Sequence, residues 1–331
     1  MKEKILDNTF IHYWINDHST SDIYHRCFQR QDEFFKEKYK IINWDIPMHG
    51  QSKKENFIFY KECALLMKRI LDKEKINKVV LIGLSLGGYP SQMFAHLYPG
   101  STMGLVAMDT TPFGLKYYSN SDIFLLKQVG WSTKCFPTNL LKKSMAKSIS
   151  KIKYSYELMM EMLNESSKDV IARQMEIAYS KFILENQDIK LDRDIPVLLL
   201  LGDSDKTGKI KQYCMAWQKE TNYPLHIIKN ASHFSNSDNS ESVNDEIENF
   251  IKKIYNNGKE NEYGNIPAFR EYAGENNIIL NIDNKNVNGW YPLLYAACYF
   301  RNNKIKEGKT LSKNDNFYVN FENYGNDYGI E

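Results

Sequence analysis

Residues 78–88 read Lys78-Val79-Val80-Leu81-Ile82-Gly83-Leu84-Ser85-Leu86-Gly87-Gly88, and the fold is decided here. The apolar run up to Ile82 is short and bounded by turn residues, which predicts a strand buried on both faces of a parallel sheet. The G-x-S-x-G turn that follows leads into Ser91–Leu97, which reads as helix. Strand, sharp turn and helix in that order make the pattern a nucleophile elbow. Its glycines have a physical purpose: bulky neighbours would collide with the adjoining strand and helix while the serine is held strained at the tip. The helix N-terminus behind Ser85 favours developing negative charge, and the backbone N–H of Leu86 is placed to donate to an oxyanion.

A serine hydroxyl is a poor nucleophile at neutral pH and needs a base, which in turn needs an orienting acid. In a strand–turn–helix setting these follow in the order serine, acid, histidine, each just past a strand end. The run Pro196–Leu201 ends in Gly202-Asp203-Ser204-Asp205, and Pro224–Lys229 ends in Asn230-Ala231-Ser232-His233. Asp205 is therefore the expected acid and His233 the expected base, with Asp203 the alternative carboxylate, read as solvated or capping. His96 falls in a helical stretch and His226 in a strand, so both read as structural. Chemistry of this kind calls for no metal and no organic cofactor.

Further runs, Tyr39–Trp44 and Gly104–Met108, also read as buried strands. Helical stretches alternate with the strands: Phe57–Leu71, Ser91–Leu97, and Val243–Tyr255 with apolar residues at 3–4 spacing. This alternation predicts an α/β fold with a mostly parallel sheet and flanking helices. Residues 112–190 interrupt it with a Lys/Ser/Met-rich, largely helical insertion, expected to be a lid.

The segment Asp45-Ile46-Pro47-Met48-His49-Gly50-Gln51-Ser52 resembles the D-x-P-G-H-G-x-S turn of α/β-hydrolase-fold enzymes. Gly83–Gly87, the Gly202–Asp205 turn and His233 resemble the rest of that family's pattern, across most of residues 1–256. The resemblance implies a serine hydrolase that cleaves a small or medium carboxylic ester or thioester through an acyl-enzyme. The fold also hosts carbon–carbon bond hydrolysis and acyl transfer. Met48 stands where the family has glycine, and His49 is read as structural.

One departure concerns the oxyanion hole. The family carries a central strand ending in His-Gly, whose loop supplies the second donor, and no His-Gly precedes Asp45 here. Phe10-Ile11-His12-Tyr13-Trp14 resembles an early edge strand of the family, which would leave the central strand deleted. A hole in the middle of the sheet would strand backbone donors and acceptors on both neighbours. Thr9–Ile15 is therefore expected in the central slot, with the edge strands missing and the second donor near Asn16. The same departure motivates an alternative of another class: a non-catalytic relative that binds proteins.

The chain has 331 residues, 42% hydrophobic and 25% charged, with a net charge of +2. That near-neutral balance gives no reason to expect nucleic acid or an anionic membrane as partner. The N-terminus lacks a signal-peptide run, no stretch is long enough to span a bilayer, and the five cysteines are scattered; a reduced, cytoplasmic setting follows. After residue 256 the composition turns rich in Asn, Tyr and Gly. Residues 257–331 read as a separate tail. Within it, Asn288–Ala297 resembles the start of an ankyrin repeat, so that residues 281–311 offer a surface to a protein partner.

Overall fold

A computed structural model describes residues 1–16, 26–185, 188–263 and 292–297. Among the described residues, eight strands form one sheet. They are β1 (Lys2–Ile5), β2 (His12–Ile15), β3 (Lys40–Asp45), β4 (Val79–Leu84), β5 (Thr102–Met108), β6 (Val197–Gly202), β7 (Leu225–Ile228) and β8 (Pro292–Ala297). Their order across the sheet is β1-β2-β3-β8-β4-β5-β6-β7. From β3 to β7 every pairing is parallel, while β1 and β2 run antiparallel at one edge.

The sheet is sandwiched between helices, and its side chains alternate between two cores as a two-residue period requires. On β4, Val79 and Leu81 join one core, and Val80 and Ile82 the other. Helices α1 (Gln29–Phe35), α2 (Tyr60–Lys73) and α3 (Gly88–Leu97) lie in the first half of the chain. Between β5 and β6 stand α4 (Asn120–Lys127), α5 (Val129–Thr133), α6 (Thr138–Ile149), α7 (Lys153–Asn164), α8 (Lys168–Met175) and α9 (Phe182–Glu185). Finally α10 (Ile210–Thr221), α11 (Ser235–Asp238) and α12 (Ser240–Tyr263) complete the set. α12 buries Val243, Ile247 and Ile251, one residue per turn, against the second core. No helix among the described residues is long and apolar enough to cross a membrane.

Two expectations are corrected here. Thr9–Ile15 does not take the central slot, and the edge strands are not missing. Asn8, in the left-handed region at φ 58°, turns the chain so that Leu6 N–H donates to Ile11 C=O at 2.9 Å. So tight a reversal forces β2 antiparallel against β1, which places both at the edge.

The central slot between β3 and β4 is filled instead by β8. The register runs from Lys40↔Pro292 to Asp45↔Ala297 on one side and from Val80↔Leu293 to Gly83↔Ala296 on the other. The argument against a hole in the sheet is met, but by a segment from the far end of the sequence. Residues 257–331 are accordingly not wholly a separate tail. The stretch that resembles an ankyrin repeat lies, at 292–297, in a strand with partners on both sides. The rest of 281–311 lies outside the described residues.

Candidate active site

The elbow is built as a sharp reversal. β4 ends at Leu84, a single 3-10 turn covers Ser85–Gly87, and α3 starts at Gly88. Ser85 sits at φ 52°, a left-handed conformation that costs a non-glycine residue about 1–3 kcal/mol. Packing holds it there: the Thr110 hydroxyl donates to the Ser85 carbonyl at 2.7 Å, and the Ser91 hydroxyl donates to the Gly87 carbonyl at 2.9 Å. Gly83 is required because a Cβ there would lie 2.6 Å from the Gly87 carbonyl oxygen. Ser85 is half-buried, so its hydroxyl remains reachable.

β6 and β7 deliver the other two groups to the same carboxyl end of the sheet, where parallel α/β sheets place their sites. His233 Nε2 lies 2.8 Å from Ser85 Oγ, and His233 Nδ1 lies 2.9 Å from Asp205 Oδ2. Asp205 Oδ1 accepts the Thr207 N–H at 2.7 Å. His233 and Asp205 are both buried. Burial pushes the Asp205 carboxyl up, but the charge of His233 and the hydrogen bonds from His233 and Thr207 outweigh it and hold it below its ordinary value. Burial likewise lowers His233, and the facing carboxylates of Asp205 and Asp109 outweigh that and raise it.

The loop carrying His233 is tied down from two sides. Asp238 accepts the Ser232 N–H at 2.9 Å and the Lys151 N–H at 3.0 Å, joining the loop to the junction of α6 and α7. Asp203 accepts the Asn230 and Ala231 N–H groups at 3.0 and 3.3 Å. The Ser204 hydroxyl, followed by those backbone N–H groups, holds Asp203 down to about 2. Asp203 thus braces the histidine loop rather than facing the imidazole. Gly202 passes so close beneath that a Cβ would lie 2.1 Å from the Ser232 carbonyl oxygen.

His96 is exposed beside the Lys190 carbonyl, and His226 is exposed beside Glu246. His49 is buried against the Pro47 carbonyl, and burial lowers it to about 4. Met48 occupies φ 71°, so a methionine holds the left-handed conformation that its glycine counterpart would adopt without strain. Asn16 itself, the residue nearest the expected second oxyanion donor, stands away from Ser85, and residues 17–25 lie outside the described residues. The Asn16 side chain donates to Lys36 and Tyr39 carbonyls and accepts the Ile41 N–H, all at the amino end of β3. Ser85 lies past the opposite, carboxyl ends of the parallel strands.

Asp109 escaped the sequence reading. It follows β5, adopts φ 45°, and is fully buried. Its carboxylate accepts the Gly202 N–H at 2.8 Å and the Ser235 hydroxyl. Oxygens of Asp109 and Asp205 and a ring nitrogen of His233 lie within 4.8 Å of one another. That is close enough to share a cation, but both ring nitrogens of His233 and both Asp109 oxygens already have partners. Its position just past a strand of the parallel sheet was the signal that could have found it.

Burial and the neighbouring Asp205 charge raise Asp109 to about 7. Asp109 and His233 are both raised on folding, so at these two groups the folded state binds protons more tightly than the unfolded one. For Asp109 that window runs from its unperturbed value of 3.8 to about 7, and stability falls as pH rises through it. Asp109→Asn should remove this part of the slope, on the order of a few kcal/mol. Thermal unfolding at several pH values checks it, and an unchanged slope would contradict the assignment.

Beside the acid turn lies a cavity of about 200 Å³ lined by Tyr89, Tyr118, Leu125, Tyr179, Phe182 and Thr207 among others. Tyr89, from the helix behind Ser85, stacks on Phe182 of α9 with ring centroids 3.8 Å apart. The helical insertion therefore supplies one wall of the cavity and α3 another.

Residues 18–240 match the family model described as alpha/beta hydrolase fold. The chain is 24% identical over 234 residues to the uncharacterized hydrolase YugF of Bacillus subtilis, covering 68% of this chain and 85% of that protein. Among solved structures it is similar to a thermophilic esterase from Thermogutta terrifontis, with a TM-score of 0.57, 17% identity, and coverage of 74% of this chain and 94% of that one. It is equally similar in fold to MenH from S. aureus, with a TM-score of 0.57, 18% identity, and coverage of 75% and 99%.

Proposed function

Because the chain belongs to the alpha/beta hydrolase fold family, we propose that it is a serine hydrolase that cleaves small or medium carboxylic esters or thioesters through an acyl-enzyme. The observation that carries this reading is the unbroken relay from Ser85 Oγ through His233 to Asp205, at 2.8 and 2.9 Å. His233 takes the hydroxyl proton as Ser85 attacks the carbonyl carbon, and Asp205 steadies the imidazolium that forms. The tetrahedral oxyanion accepts from the Leu86 N–H. Collapse expels the alcohol or thiol, protonated by His233, and leaves the acyl group on Ser85. Water, activated by the same imidazole, then releases the acid. No step calls on a metal or cofactor.

The tyrosine- and leucine-lined cavity suits an apolar acyl or alcohol group of limited size, and the helical insertion acts as the lid that walls it. The binding-only alternative finds no support in a relative named as a hydrolase or a structural neighbour named as an esterase. A panel of p-nitrophenyl acetate, butyrate, octanoate and palmitate, with matching thioesters, tests the reading. Saturable turnover should be best for the butyryl or octanoyl member and poor for palmitoyl. Turnover no higher than that of Ser85→Ala on every ester and thioester would sink it.

A further inference from the structure

We propose that Tyr179, carried on the helical insertion, selects the substrate: its hydroxyl donates a hydrogen bond to an ether or ketone oxygen borne by the apolar group that fills the cavity beside the relay. The chain then prefers an ester whose cavity-filling half is interrupted by such an oxygen over its plain hydrocarbon counterpart. The inference deepens the reading of the chain as an ester or thioester hydrolase and rests on it.

The cavity is walled largely by aromatic and leucine side chains, and its other polar groups are already engaged. Tyr89 and Tyr118 both place their hydroxyls on Thr111 Oγ1, at 3.0 and 2.8 Å. The Tyr213 hydroxyl and Lys209 Nζ both donate to Asp122, the latter at 2.6 Å. The Thr207 hydroxyl lies against the Asp205 carboxylate. Among the described residues, the Tyr179 hydroxyl makes no hydrogen bond. A phenol placed this deep ordinarily has a partner. Burial, and after it the charge of Asp205, pushes that hydroxyl up to about 12, so it remains a donor at neutral pH. Yet the side chain is only half-buried. A side chain that lies deep and still keeps surface turns that surface to a cavity, and Tyr179 lines this one.

The backbone holds Tyr179 in that position. Between α8 and α9 the insertion winds one π-helical turn, Glu176–Lys181, an irregularity frequent at functional sites. The turn is pinned on both sides of Tyr179. The Tyr60 hydroxyl donates to the Ile177 carbonyl at 2.7 Å, and the Ser180 hydroxyl donates to the Leu126 and Lys127 carbonyls at 3.1 Å. A donor fixed in this way loses little freedom when a ligand arrives. The cavity also adjoins the relay. Thr207, on its wall, gives its N–H to Asp205 Oδ1 at 2.7 Å, and Tyr89 lies one helical turn beyond Ser85. A volume of about 200 Å³ takes roughly six or seven heavy atoms at about 30 Å³ each, which suits a six-carbon acyl chain or a four-carbon alcohol. An all-carbon occupant would leave the Tyr179 hydroxyl unpaired and away from water, whereas an oxygen in the chain satisfies it.

Esters of matched shape test this. With the oxygen in the acyl half, p-nitrophenyl 4-methoxybutanoate and 3-ethoxypropanoate are compared with p-nitrophenyl hexanoate. With it in the alcohol half, 2-methoxyethyl butanoate is compared with butyl butanoate. For whichever half enters the cavity, kcat/KM should favour an oxygen-bearing ester about tenfold more in the parent than in Tyr179→Phe, the difference residing in KM. Tyr179→Phe should cleave the hydrocarbon esters as fast as the parent and keep its thermal midpoint, which the loss of a merely structural hydroxyl would not allow. In Ser85→Ala, Kd for the same esters should carry the same preference, and Ser85→Ala with Tyr179→Phe should lose it. Ratios equal in parent and Tyr179→Phe for every pair overturn the inference. So does a loss that falls equally on the hydrocarbon esters. A parent no faster than Ser85→Ala overturns the hydrolase reading instead, and the Kd comparison then decides the role of Tyr179 by itself.

Discussion

Ser85→Ala is expected to lower kcat by about 10⁶-fold on any ester the chain cleaves, and adding His233→Ala should cost almost nothing more. Members of a nucleophile–base relay act as a unit, so removing one removes nearly all that the relay supplies. The site geometry explains why no other group takes over. Ser85 Oγ is the hydroxyl against His233 Nε2. The nearby hydroxyl of Ser235 is engaged with Asp109, and that of Ser232 with the Ser148 carbonyl. The substitution removes one oxygen from a half-buried position, so folding should be unaffected or slightly favoured. Rates fixed by titrating active sites, read beside unchanged thermal midpoints, check both halves. A loss of less than about 10²-fold would mean that Ser85 is not the nucleophile.

The second large effect is at the acid. Asp205→Asn should lower kcat by about 10⁴-fold, and the acid limb of the pH–rate profile should move to lower pH. An acceptor-only carboxylate fixes His233 with its proton on Nδ1 and leaves Nε2 free to take the serine proton; an amide can present N–H instead and reverse that tautomer. The negative charge is lost as well. Because the charge of Asp205 raises His233, its removal lets burial push the imidazole down, so the base is neutral to lower pH. Asp109 cannot stand in, since the Gly202 N–H and Ser235 hydroxyl anchor both its oxygens. Asp203→Asn is the informative contrast. It retains an oxygen acceptor for the Asn230 and Ala231 amides and should cost about tenfold at most. Equal losses at 203 and 205 would contradict the division of labour between bracing and orienting.

The difference between those two carboxylates shows how far the residues alone carry the argument. The strand runs around 39–44, 78–83, 104–108 and 196–201 were legible because a strand covered on both faces must be apolar throughout. Ser85 was legible because only small neighbours tolerate its turn. The ends of β6 and β7 followed from the rule that a parallel sheet gathers its chemistry at the carboxyl ends of its strands. What escaped was non-local. The six apolar residues of β8 have no periodicity that tells a strand from a helix start. Their partners lie more than two hundred residues earlier, at 40–45 and 80–83. The requirement that the central slot be filled was sound physics, but it could not say which segment fills it. Thr9–Ile15 was excluded by its own tight turn at Asn8, a short-range signal that the slot argument overrode. Asp109 escaped because a relay of three was already complete without it, although its place after a strand marked it.

The central claim, that Ser85 is an activated nucleophile paired with His233, is tested most directly by covalent labelling with a fluorophosphonate probe followed by peptide mass mapping. One adduct should form, on the peptide containing Ser85. Its rate should rise with pH as His233 loses its proton, and it should be absent in Ser85→Ala and strongly slowed in His233→Ala. A chain that takes up no probe, or one whose labelling persists undiminished in Ser85→Ala, would contradict the account.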